Sequence, residues 1–73
     1  MEERDLHGLT VAEAEEVFYS KLNEARMANK LIEVMFITGV GKIRDRFDVM
    51  ADEQDLHHYI PGNNRGCIVI EFE

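Results

Sequence analysis

Cysteine occurs once in the chain, at Cys67, proline once, at Pro61, and tryptophan not at all. A single cysteine closes no internal disulfide and supplies no Cys-x-x-Cys framework for a metal, which fits a reducing, cytoplasmic setting. No apolar run is long enough for a membrane span, and the opening Met1-Glu2-Glu3-Arg4-Asp5 is too charged for a signal peptide. Positive charge is scarce as well: 8 Lys and Arg face 15 Asp and Glu, for a formal net charge of −7. Affinity for nucleic acid rests largely on Lys and Arg that neutralise phosphates, so this balance opposes strong general binding.

What is present describes a small folded domain spanning residues 1–73. With 45% hydrophobic and 32% charged residues, the chain lies well away from the composition of disordered segments. A domain of this length buries about 60% of the surface of its unfolded chain, so the core must be compact and shallow. The acids are clustered, at Glu13, Glu15, Glu16 and Glu24 and again at Asp45, Asp48, Asp52, Glu53 and Asp55. Residues 38 to 44 between them carry Lys42 and Arg44 and no acid.

Glu3 to Leu6 reads as a short strand ended by Gly8. Thr10 opens a helix as N-cap, with Glu13 three residues on completing a capping box. Val11, Ala14, Phe18, Leu22 and Ala25 then fall on one stripe, opposite Glu13, Glu16, Ser20, Asn23 and Glu24. Leu31 to Ile37 is apolar on both parities, which predicts a central strand buried on both sides or nearly so. Ile43, Phe47 and Met50 mark a second, shorter helix ending near Asp52. Two strands follow, about Leu56 to Ile60 and Cys67 to Phe72, joined by a turn over residues 61 to 66. Ile68, Ile70 and Phe72 form the core face of the last strand, and Met27, Met35 and Met50 read as core or rim packing. The order β-α-β-α-β-β predicts an α/β two-layer sandwich: a mixed four-stranded sheet with two helices on one face.

Two short motifs end the first two strands. Asp5 and His7 stand two apart on a strand and so project to one side, where a carboxylate can orient an imidazole acting as general base. They can equally do no more than end a strand, with Asp5 satisfying backbone donors. Thr38-Gly39-Val40-Gly41 leads into a helix, where free N–H groups and the helix dipole can hold a phosphate, or where a tight turn suffices. It is neither a Walker loop nor a dinucleotide fingerprint. Lys42 and Arg46 share one flank of the second helix and can clamp phosphates, whereas Arg44 points away, roughly 200° round from Lys42. Successive parallel strands put both loops at one sheet edge. If the third strand is also parallel, the turn with Arg65 joins them there. His57 and His58 face opposite sides of a strand, so they do not share an ion, and no metal ligand set is expected.

The order and spacing of Asp5-Leu6-His7-Gly8 and Thr38-Gly39-Val40-Gly41 resemble the Smr (small MutS-related) domain, over nearly the whole chain. The family has Asp-x-His-Gly on its first strand and Thr-Gly-x-Gly or His-Gly-x-Gly after its second. Asn64-Arg65-Gly66 resembles its frequent Asn-x-Gly before the last strand. Arg4 stands where an apolar residue commonly precedes the motif, and the chain is short and acidic for the family. The resemblance implies a fold similar to the C-terminal domain of bacterial translation initiation factor three. It also implies DNA or RNA binding with nicking or endonuclease activity, a hydrolase serving DNA repair or recombination. Asp5 and His7 would be its catalytic residues. Gly8, Thr38, Gly39, Val40, Gly41, Lys42, Arg46 and Arg65 would hold nucleic acid, with or without a divalent cation such as magnesium. Weak nucleic-acid binding, a protein partner or a dimer, and no membrane partner are the corresponding expectations. The other reading is a non-catalytic protein-interaction module presenting an acidic helical surface.

Overall fold

The computed structural model describes all residues, Met1–Glu73. In chain order the elements are β1 (Glu2–Asp5), α1 (Val11–Ala28), β2 (Ile32–Ile37), α2 (Lys42–Glu53), β3 (His58–Tyr59) and β4 (Cys67–Phe72). The sheet order is β1-β2-β4-β3. β1 runs parallel to β2, and β4 runs antiparallel to both β2 and β3, so β1, β2 and β3 all point the same way.

Local chemistry sets the boundaries. Thr10 Oγ1 accepts from the Glu13 N–H at 3.1 Å while the Glu13 carboxylate accepts from the Thr10 N–H at 2.8 Å, so the capping box forms in full. α1 ends where Asn29 turns left-handed (φ 52) and the Lys30 N–H reaches back to the Ala25 carbonyl. α2 ends in the same manner: Asp55 has φ 57 and the Leu56 N–H donates to the Ala51 carbonyl at 2.9 Å. That turn pulls Leu56 into the core, which is why the expected strand over Leu56 to Ile60 shrinks to the His58–Tyr59 pair. β1 likewise stops at Asp5, one residue early, because the chain turns at His7.

Both helices cover one face of the sheet. Ala14, Phe18 and Leu22 from α1 and Phe47, Met50 and Ala51 from α2 meet Val34 and Phe36 of β2 and Ile68, Ile70 and Phe72 of β4. Four phenylalanines stitch the layers edge to face, with centroids 5.3 Å apart for Phe18 and Phe47, 5.1 Å for Phe18 and Phe72, and 4.9 Å for Phe36 and Phe47. Each such contact contributes about 0.5–1.5 kcal/mol beyond the area it buries.

β2 is not buried on both sides. Only its helix-facing side chains are covered, and Ile37 on the outer face is 39% exposed. With both helices on one side, a two-layer fold leaves the other sheet face open. On that face Cys67 and Val69 of β4 are nonetheless buried, Val69 standing between Met35 of β2 and Tyr59 of β3 in the strand register. Met27 also departs from its reading as packing. It sits on the solvent side of the last turn of α1, 88% exposed, whereas Met50 is in the core.

Candidate nucleic-acid interface

Because β1, β2 and β3 are parallel, the loops after them emerge at one edge of the sheet, as the sequence order suggested. The Gly66 carbonyl accepts from both the Thr38 and the Gly39 backbone N–H, each at 2.9 Å. The Leu6 N–H donates to the Ile37 carbonyl at 2.9 Å and ties the first loop to the second. The loop carrying His7, the Thr38 to Gly41 loop and the turn with Arg65 therefore form one continuous backbone surface. Gly8 (φ 84) and Gly39 (φ 72) make the two bends in left-handed conformations that L side chains adopt only at a cost.

Within this edge Asp5 satisfies a backbone donor, one of the two roles its position allowed, while the two arginines of α2 depart from their expected places. Asp5 accepts from the backbone N–H of His7 at 2.8 Å. The carboxylate thus holds the turn on which His7 stands, and no hydrogen bond joins it to the imidazole ring. His7 is exposed and its ring forms no ion pair. Thr38 and Gly39 spend their N–H groups on Gly66, and the Thr38 hydroxyl donates to the Gly39 carbonyl at 2.7 Å. These two residues tie the loops together, and Val40, Gly41 and Lys42 are left exposed at this edge. Gly41, the N-cap of α2, brings no side-chain hydrogen bond to the first turn, so the positive end of that helix is free of a side-chain cap.

The arginines exchange places relative to the helical-wheel reading. Arg46 donates from Nε to Glu15 of α1 at 2.6 Å, so its charge is matched inside the protein. That hydrogen bond, opposed by partial desolvation, raises the guanidinium pKa above its ordinary value. Arg44, expected to point away, runs under the last turn: Nη1 donates to the Arg65 carbonyl and Nη2 lies 3.7 Å from Asp45. Its Nε is buried without a partner. Arg44 therefore supports the Arg65 turn from beneath. Lys42 and the Arg65 side chain remain exposed with no ion pair.

Asp5 is the one carboxylate at the ends of these parallel strands, and it already accepts one hydrogen bond. Magnesium takes oxygen ligands in octahedral geometry. The residues here fit such an ion only if Asp5 is joined by substrate phosphate oxygens and water. His57 and His58 diverge as expected, towards Glu71 of β4 and towards α2.

Neither a protein-family model nor a curated protein sequence matches the chain. Among solved structures, the chain is similar to the Smr domain of Thermus thermophilus MutS2, with a TM-score of 0.79 at 25% identity. The match covers 100% of this chain and 99% of that one. The two helices and mixed four-stranded sheet are common to both.

Proposed function

We propose that the chain, an Smr domain in its fold and in the order of its two motifs, binds a nucleic-acid backbone at the edge formed by its three strand-end loops, and cleaves it there. The observation that carries this reading is the convergence itself. A helix N-terminus without a side-chain cap, Lys42, Arg65 and the unpaired His7 ring share one edge of an otherwise acidic molecule. Phosphate oxygens would meet the first-turn N–H groups of α2 and the Lys42 ammonium. His7 would take the proton from the attacking water or ribose hydroxyl as the new P–O bond forms and the old one breaks, then return it to the leaving oxygen. The acidic body and the few free cations make binding weak, with a shallow salt slope of about one unit per phosphate contact.

The test is an NMR titration with a short DNA or RNA oligonucleotide at low salt, followed by a nicking assay with and without magnesium. Amide shifts at His7, Gly8, Val40 to Lys42 and Arg65, together with nicking that His7→Ala abolishes, are the expected results. A folded sample that never nicks, or a His7→Ala variant that cuts as well as the parent, removes the catalytic part. A second reading rests on the outer face of α1, where Tyr19 (42% exposed) and Met27 lie among Glu15, Glu16 and Glu24. Shifts confined to that face, or seen only with a basic protein, would make the chain an interaction module.

A further inference from the structure

Asp48 and Asp52 stand one turn apart on α2, so both carboxylates leave the same face of the helix. His58, the first residue of β3, reaches that face, with Nε2 3.0 Å from Asp48 Oδ1 and 3.3 Å from Asp52 Oδ1. The other ring nitrogen, Nδ1, lies 2.8 Å from the Leu56 carbonyl oxygen. A carbonyl only accepts, so Nδ1 carries a hydrogen, and in the neutral ring the lone pair sits on Nε2. That lone pair faces two carboxylate oxygens. Such an arrangement is repulsive unless positive charge lies between them, and no lysine or arginine pairs with either aspartate.

We propose that Asp48, Asp52 and His58 bind a divalent transition-metal ion of the zinc class, each offering one atom. The three donor atoms lie within 4.8 Å of one another. With bonds of about 2.0–2.2 Å in a tetrahedron, neighbouring ligand atoms around zinc are about 3.3–3.6 Å apart. The Asp52 edge, at 3.3 Å, already has that length and the Asp48 edge, at 3.0 Å, is a few tenths short, so completing the set needs only a movement of two carboxylates whose side chains are 49% and 71% exposed. The Leu56 carbonyl then plays the outer-shell part, fixing the tautomer and the ring plane. Water completes the coordination from the open side. The imidazole ligand disfavours magnesium and calcium, which take oxygen ligands, and favours zinc and its neighbours. The trio is distinct from the proposed nucleic-acid edge: it lies towards the C-terminal end of α2, away from Lys42 and the glycine loops. A bound ion would fasten the two-residue edge strand β3 to α2 and add two positive charges to a chain of formal net charge −7.

Zinc chloride and, separately, magnesium chloride are added to the full chain while the histidine ring signals and the thermal midpoint are followed. The expected result is a His58 shift that saturates at one equivalent of zinc with a rise in midpoint, and no response to magnesium at the same concentration. His58→Gln should abolish the response. Because His58 is mostly enclosed, Asp52→Asn provides the second arm. This exposed substitution should not lower the metal-free midpoint, since it removes one of the two charges facing the ring, and should weaken zinc binding at least about tenfold. A His58 signal that does not move with zinc overturns the proposal, as does Asp52→Asn binding zinc as tightly as the parent. The trio would then be an imidazolium held by two carboxylates. Shifts confined to His7 or His57 overturn it as well.

Discussion

Arg46 and Glu15 join the two helices through a 2.6 Å hydrogen bond across 31 residues of chain. The contact removes from the proposed interface a cation that lies one turn from Lys42. Replacing the carboxylate with its neutral isostere should return it. Glu15→Gln is therefore expected to tighten oligonucleotide binding and to steepen its salt dependence by up to about one phosphate contact. Lys42→Glu should weaken binding across sequences and flatten the slope. Anisotropy titrations at several salt concentrations measure both, and an unchanged slope in Glu15→Gln would place Arg46 outside the interface.

Asp5 acts on His7 through the backbone, and this distinguishes two substitutions that a ring-orienting carboxylate would not. Asp5→Asn keeps an oxygen to accept the His7 N–H and should retain most of the stability and of any nicking activity. Asp5→Ala removes the acceptor and is expected to cost about 1 kcal/mol, with activity falling as the turn loosens. Denaturation curves and nicking rates of the two variants decide the matter. Equal loss of activity in both, with stability preserved, would assign the carboxylate a direct charge role instead.

Gly39 takes φ 72 at the point where its N–H meets the Gly66 carbonyl. An added Cβ there meets no neighbour, so the cost of Gly39→Ala is conformational and not steric crowding by another residue. It should amount to about 1–2 kcal/mol, lowering the thermal midpoint by roughly 4–8 °C per kcal/mol. Gly62, which has open space and no positive φ, serves as the comparison and should tolerate alanine. Equal midpoints for the two variants would contradict this account.

Lys21 on α1 holds the first residue of β1, with Nζ 2.8 Å from the Glu2 carboxylate and a weaker reach to Glu24. The hydrogen bond to Glu2 raises its pKa above 10.5, with burial working in the opposite direction. A lysine raised on folding contributes stability that is complete below its unfolded pKa and fades as pH climbs through the folded value. The parent should exceed Lys21→Met by about 0.5 kcal/mol near neutral pH. That margin should hold at mildly alkaline pH and narrow above 10.5. Urea denaturation across this range tests it, and a margin that widens with pH would be the wrong sign.

The element order, the capping box at Thr10 and Glu13, the buried stripe of α1 and the two motif loops were legible in the chain because each depends on near neighbours. Periodicity of three or four residues, a cap and a glycine bend are local properties that the fold only has to accept. The shared loop edge followed one step further, since parallel strands align their C-terminal ends. The choice between Arg44 and Arg46 was not legible. Helical spacing places Lys42 and Arg46 on one flank, but which flank meets α1 depends on how two helices pack on one sheet face. That packing gives Arg46 to Glu15, and Arg44 to the carbonyl of Arg65, 21 residues away. The meeting of Asp48 and Asp52 with His58 has the same origin. The turn that buries Leu56 fixes where β3 begins, and the short strand then lays His58 against α2. Contacts between distant segments are set by the one packing that buries Phe18, Phe36, Phe47 and Phe72 together, and local sequence carries no signal of it.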